Sequence, residues 1–142
     1  MHRKVAAALV AALALAAAGC GGSESLTRAQ VVTRLEAACR LAQERTAEES
    51  RGARTENFFA ALLVGQRVLV KRIDGIEPPD ELSDDVETVK TGFAERTDMV
   101  ARVADTPRAE RERAIRALNT ELSSVTRDLE GALRRLGVRD CG

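Results

Sequence analysis

The sequence predicts an all-α fold: an antiparallel four-helix bundle stapled by one disulfide and preceded by a cleaved signal peptide. Three observations carry that expectation. Four stretches repeat apolar residues at a period near 3.6, and no stretch shows the strict alternation of a half-buried strand. The breaks between the stretches are short, which sets successive helices antiparallel. Two cysteines lie beyond the N-terminal segment, Cys39 on one apolar stripe and Cys141 just past the last helix. The expected organisation is 1–19 signal peptide, 20–26 flexible tether and 27–142 helical domain.

The N-terminal segment reads as an export signal. His2, Arg3 and Lys4 are basic, and Val5 to Ala18 carries no charge. That run is shorter than the roughly 20 apolar residues a spanning helix needs, and it has the length and flanks of a secretory h-region. Ala17-Ala18-Gly19-Cys20 resembles the lipobox of bacterial lipoproteins, with Ala17 where that family usually has Leu. The resemblance implies a diacylglyceryl group on the Cys20 thiol, cleavage before Cys20 and further acylation (such as palmitate) of its amine. The alternative is an ordinary signal peptide cut nearby, with Cys20 left as a thiol. Two or more acyl chains hold a protein stably on a membrane, where one short chain does not. Gly21, Gly22, Ser23, Glu24 and Ser25 come next as a flexible leash.

The first helix starts at Thr27, which caps it while Gln30 reaches back and Leu26 staples onto Val31. Its stripe is Val31, Leu35, Ala38, Cys39 and Ala42, and Gly52 with its polar neighbours ends it. The second runs from about Thr55 to Ile73, with Phe58, Phe59, Leu62, Leu63, Gln66, Leu69, Val70 and Ile73 on one face. Asp74-Gly75 and Pro78-Pro79 then break the chain. The third spans about Asp80 to Ala104 with Leu82, Val86, Val89, Phe93, Val100 and Ala104 inward. For the fourth, Thr106 reads as the N-cap and Pro107 as the first helical residue. Ile115, Leu118, Leu122, Val125, Leu129, Ala132 and Leu136 form its stripe, and Gly137 with Val138 closes it as a Schellman motif against Leu133.

Charge placement fits the antiparallel order. Asp80, Glu81, Asp84, Asp85 and Glu87 crowd the start of the third helix, and Arg134, Arg135 and Arg139 the end of the fourth. If Cys20 is lipidated, Cys39 and Cys141 remain as an even pair in an oxidising compartment and are expected to form a structural disulfide. A bond across about 100 residues is worth roughly 4.7 kcal/mol in the chain-entropy model. Their wide separation in sequence argues against a redox-active dithiol.

Most chemistries lack their residues. His2 is the one histidine, so histidine acid–base catalysis, metal ligation and haem ligation have no candidate in the mature chain. Of 22 basic residues Arg3 and Lys4 leave with the signal, so the 20 that remain face 22 acidic ones, and nothing favours nucleic acid. The doublets Glu48-Glu49 and Asp84-Asp85 point about 100° apart on a helix and form no dyad. The Asp80–Glu87 patch lacks the ordered spacing of a calcium loop and reads as a solvated helix start. Arg108, Arg111, Arg113 and Arg116 are interleaved with Glu110 and Glu112, a mixed surface rather than a phosphate site. No Ser-x-x-Lys motif and no glycine-rich phosphate loop is present, so no enzyme and no cofactor are expected. Phe58, Phe59 and Phe93 read as core.

The whole chain resembles the small helical lipoproteins of high-GC Gram-positive bacteria. The features are the Ala-rich signal with Ala-Gly-Cys20, a helix bearing Cys39, the Pro78-Pro79-Asp80-Glu81-Leu82 helix start and the ending Leu136-Gly137-Val138-Arg139-Asp140-Cys141-Gly142. Nineteen Arg against three Lys agrees with a GC-rich genome. The resemblance implies a fold and an address outside the cell membrane, not a mechanism. A narrower likeness is Leu26-Thr27-Arg28-Ala29-Gln30, similar to the Leu-Thr-x-x-Gln motif that Spy-like chaperones carry twice. Two roles stay open: a membrane-tethered module docking on an envelope protein, or a binder of unfolded clients or of a small apolar ligand held between helices. Excess apolar surface is expected at Val64, Val68, Met99 and Val103.

Overall fold

The structure, a computed structural model, describes residues 26–51 and 58–141. The expected signal peptide, Cys20, the leash, the Gly52 stop and the Thr55 start lie outside them. The described residues form four helices and no strand: α1 (Arg28–Ser50), α2 (Phe58–Asp74), α3 (Ser83–Asp105) and α4 (Arg111–Leu136). None of these helices is long and apolar enough to cross a membrane.

Local chemistry sets most of the boundaries. At α1 the Thr27 amide donates to Gln30 Oε1 (2.8 Å) and the Gln30 amide to Thr27 Oγ1 (3.3 Å), the reciprocal capping box. Leu26 is partly buried and packs against the core cluster that includes Val31. Before α3 the chain makes one 3-10 turn, Asp80–Leu82, because the Leu82 amide donates to the carbonyl of Pro79 (2.9 Å) and tightens the spacing. The α-helix itself therefore begins at Ser83 rather than Asp80. Gly137 ends α4 at φ +91°, donating to Leu133 and Arg134 while the Val138 amide donates to Leu133 (3.0 Å), which completes the Schellman motif.

The start of α4 differs from the sequence expectation. Thr106 belongs to the end of α3: its amide donates to Val103 (3.2 Å) and its hydroxyl to the Arg102 carbonyl (2.6 Å). The hydroxyl satisfies an orphan carbonyl behind it and is lost as a cap for the next helix. Pro107 opens a tight turn closed by the Glu110 amide (2.9 Å), and α4 starts at Arg111.

Opposed pairs on α3 and α4 show the antiparallel order. Arg135 Nη2 meets Asp85 Oδ1 at 2.7 Å, Gly92 faces Leu129, and Arg102 Nη2 meets Glu121 Oε2 at 2.6 Å. Each helix packs mainly on its neighbours in sequence, and α1 and α4 touch little. What joins them is the tail. Gly137 turns the chain back along α1, where the Arg139 amide donates to Glu36 Oε1 (3.3 Å) and Cys141 reaches Cys39, Cα atoms 5.2 Å apart, in the expected disulfide. Arg28 Nη1 adds a bond to the Arg135 carbonyl (3.2 Å).

The main core gathers at this end. The whole predicted stripe of α1 is buried, together with Ile73, Ile76, Leu82, Val86, Val89, Phe93, Leu129, Leu136, Val138 and Cys141. The other end is thinner. Phe58 is half exposed, stacked edge-to-face on a partly buried Phe59, so these two are not core as Phe93 is. Ile115, Leu122 and Val125 are only partly buried, and Val103 rather than Ala104 turns inward. Ala61 and Gly65, absent from the predicted stripe of α2, are buried.

Candidate functional site

The sequence-predicted site residues fall in two places. Cys20 lies outside the described residues. Cys39 and Cys141 come together, and their disulfide forms one wall of a cleft of about 320 Å³. No α4 residue lines that cleft; it opens between α1, α2 and α3, beside Cys141.

Three features of local packing create it. Gly65 lets α2 press against α1 so closely that an added Cβ would stand 2.6 Å from the Ala42 carbonyl oxygen and nearer still to Thr46 Oγ1. Gln66, one residue on, is buried and lines the cleft. Phe93 is fully buried and Leu62 and Leu69 add apolar wall, while the disulfide closes the side toward the tail. α4 leans on α3 instead, through Leu129 against Gly92.

Two polar groups in this wall lack partners. Gln66 is 7% exposed, and its Oε1 atom is buried with no hydrogen bond. A buried amide oxygen in that condition costs about 1–3 kcal/mol relative to a satisfied one. Arg96, one helical turn beyond Phe93, is half-buried and makes no ion pair or hydrogen bond among the described residues. Among the described residues no Asp or Glu lines the cleft. Loss of water around the guanidinium, uncompensated by any carboxylate, pushes its pKa below the usual arginine value. The cleft therefore has apolar walls and carries a net positive charge.

A larger groove of about 580 Å³ runs between α3 and α4 and has the opposite character. Asp84, Glu87, Glu95 and Asp128 rim it, and none of its polar side-chain atoms is buried without a partner. Among the described residues no three His, Cys, Asp or Glu side chains are arranged to hold a metal ion. Asp85, from the same acidic helix start, is engaged by Arg135. Of the four positions expected to add apolar surface, Val64 is exposed, Val68 and Met99 are partly buried, and Val103 is core.

Sequence reasoning places Gln66 on the inner face without assigning it a role, and passes over Arg96. A signal for Arg96 exists: it stands three residues after Phe93, at a spacing that puts it on the apolar face of α3. The chain matches no protein-family model, no curated protein and no solved structure.

Proposed function

We propose that the protein is an exported lipoprotein, anchored by an acylated Cys20 to the outer face of the cell membrane, whose helical domain is a non-catalytic binding module. The address rests on the sequence alone: the basic start, the apolar run, Ala-Gly-Cys20 and the leash. The start of α1, the α2–α3 connection and the tail lie at one end of the domain, where Ile76, Leu82 and Val138 pack with Val31. A lipid on Cys20, six residues before Leu26, would hold that end toward the membrane and leave the cleft accessible.

Of the two roles considered, the geometry supports uptake of a small molecule over docking on a protein. One observation carries this: a cleft between three helices with apolar walls, a half-buried Arg96 without an ion pair among the described residues and a buried Gln66 oxygen without a partner. At about 320 Å³ it falls at the small end of ligand sites, roughly 300–1,000 Å³. Docking on an envelope protein is the second reading, favoured by the exposed Phe58 and Val64.

Two experiments test the proposal. Labelled palmitate should enter the protein in its host and be lost in Cys20→Ser; equal labelling of both would overturn the anchor. Native mass spectrometry of protein released from its own membrane should show a small non-covalent adduct. Bare chain, with one protein crosslinked in stoichiometric amount, would give the role to docking.

A further inference from the structure

We infer that the cleft beside the Cys39–Cys141 disulfide binds a small apolar monocarboxylate, its carboxylate on Arg96. This rests on the small-molecule reading above and assigns the ligand's chemistry.

Each wall asks for one part of such a molecule. Arg96 is a cation held partly out of water, with no carboxylate beside it among the described residues that line the cleft. Its fork of N–H donors matches a carboxylate in a bidentate pair, and charge-assisted bonds of this kind strengthen where water is excluded. A neutral ligand would leave the guanidinium as costly as before, and a cation would be repelled. Phe93, Leu62 and Leu69 with the disulfide supply the apolar contact for its body. This division of labour, apolar walls with a charged group at the edge, is that of small-molecule sites in general. The acidic groove between α3 and α4 offers no cation to an acid and would reject the same ligand.

Calorimetric titration of the full chain carrying Cys20→Ser tests this with two probes of one chain length: octanoate and 1-octanol. Octanoate should bind about tenfold or more tighter than octanol, the range for a hydrogen bond to a charged group. Arg96→Gln should erase the preference for octanoate over octanol. Circular dichroism of the variant confirms that it is folded. Octanol binding as well as octanoate, or a charge preference that survives Arg96→Gln, would overturn the assignment while leaving a small-molecule cleft. If neither binds, the assignment fails as well, and native mass spectrometry then decides whether the small-molecule reading survives it: an adduct keeps that reading, and bare chain ends it.

Discussion

The two ends of the bundle are built from the same four helices and differ in what closes them. At one end the tail doubles back along α1, the disulfide ties it there, and all four helices share a core of fully buried side chains. At the other end, among the described residues, α4 rests mainly on α3, Phe58 is half exposed, and the inward residues of α4 between Ile115 and Val125 are mostly only partly covered. The cleft opens where the first regime gives way to the second. A thin core can be firm where it is cross-linked and open where it is not, and the open part is where a ligand can enter without unfolding the rest.

The largest effect should come from the staple. Reduction, or Cys39→Ala with Cys141→Ala, should lower stability in urea by about 4–5 kcal/mol, the loop-entropy value for so long a loop. The tail and the end of α4 should then lose their protection first. A loss below about 1 kcal/mol would mean that packing alone joins α4 to α1.

Paired truncations sharpen the contrast between the ends. Phe93→Ala should cost about 3–5 kcal/mol, since Phe93 is 1% exposed. Phe58→Ala should change stability by no more than about 0.5 kcal/mol. Comparable losses, read from denaturant midpoints, would show that both ends are equally load-sharing.

The closures should give smaller effects. Gly137→Ala forces a side chain to φ +91° and should cost about 1–2 kcal/mol, because L-residues avoid the left-handed region. A double-mutant cycle on Arg135 and Asp85 should give a coupling no larger than about 1 kcal/mol. The pair is well aligned at 2.7 Å, but its arginine is largely exposed and screened.

The stapled end is the legible end. Thr27 and Gln30 form a capping box in sequence and in space, the α1 stripe is buried residue for residue, and Gly137-Val138 closes α4 as its order implies. These are local devices, decided within a few residues. The less legible features depend on partners distant in sequence. Phe58 has the right spacing to face inward but no described residue buries it. Thr106 and Pro107 could cap the helix after them or close the one before, and the carbonyl of Arg102 decides the matter. Ala61 and Gly65 are small, so periodicity gives them little weight, yet Gly65 sets how closely α1 and α2 approach. The candidate site suffers most from this. Cys39 and Cys141 could be paired by counting, whereas Arg96 and Gln66 become a pair only when three helices meet.

Native-state hydrogen exchange on the oxidised full chain, with Cys20→Ser, tests the contrast most directly. It reads each helix segment by segment on one molecule. The prediction is that amides within Val31–Cys39, Val86–Phe93 and Leu129–Leu136 exchange only by global unfolding. Those in α4 from Arg113 to Leu122 should open at a free energy several kcal/mol lower, with no change in the stapled end. Uniform protection along the whole of α4 would contradict the account, because it would mean that the bundle is closed equally at both ends.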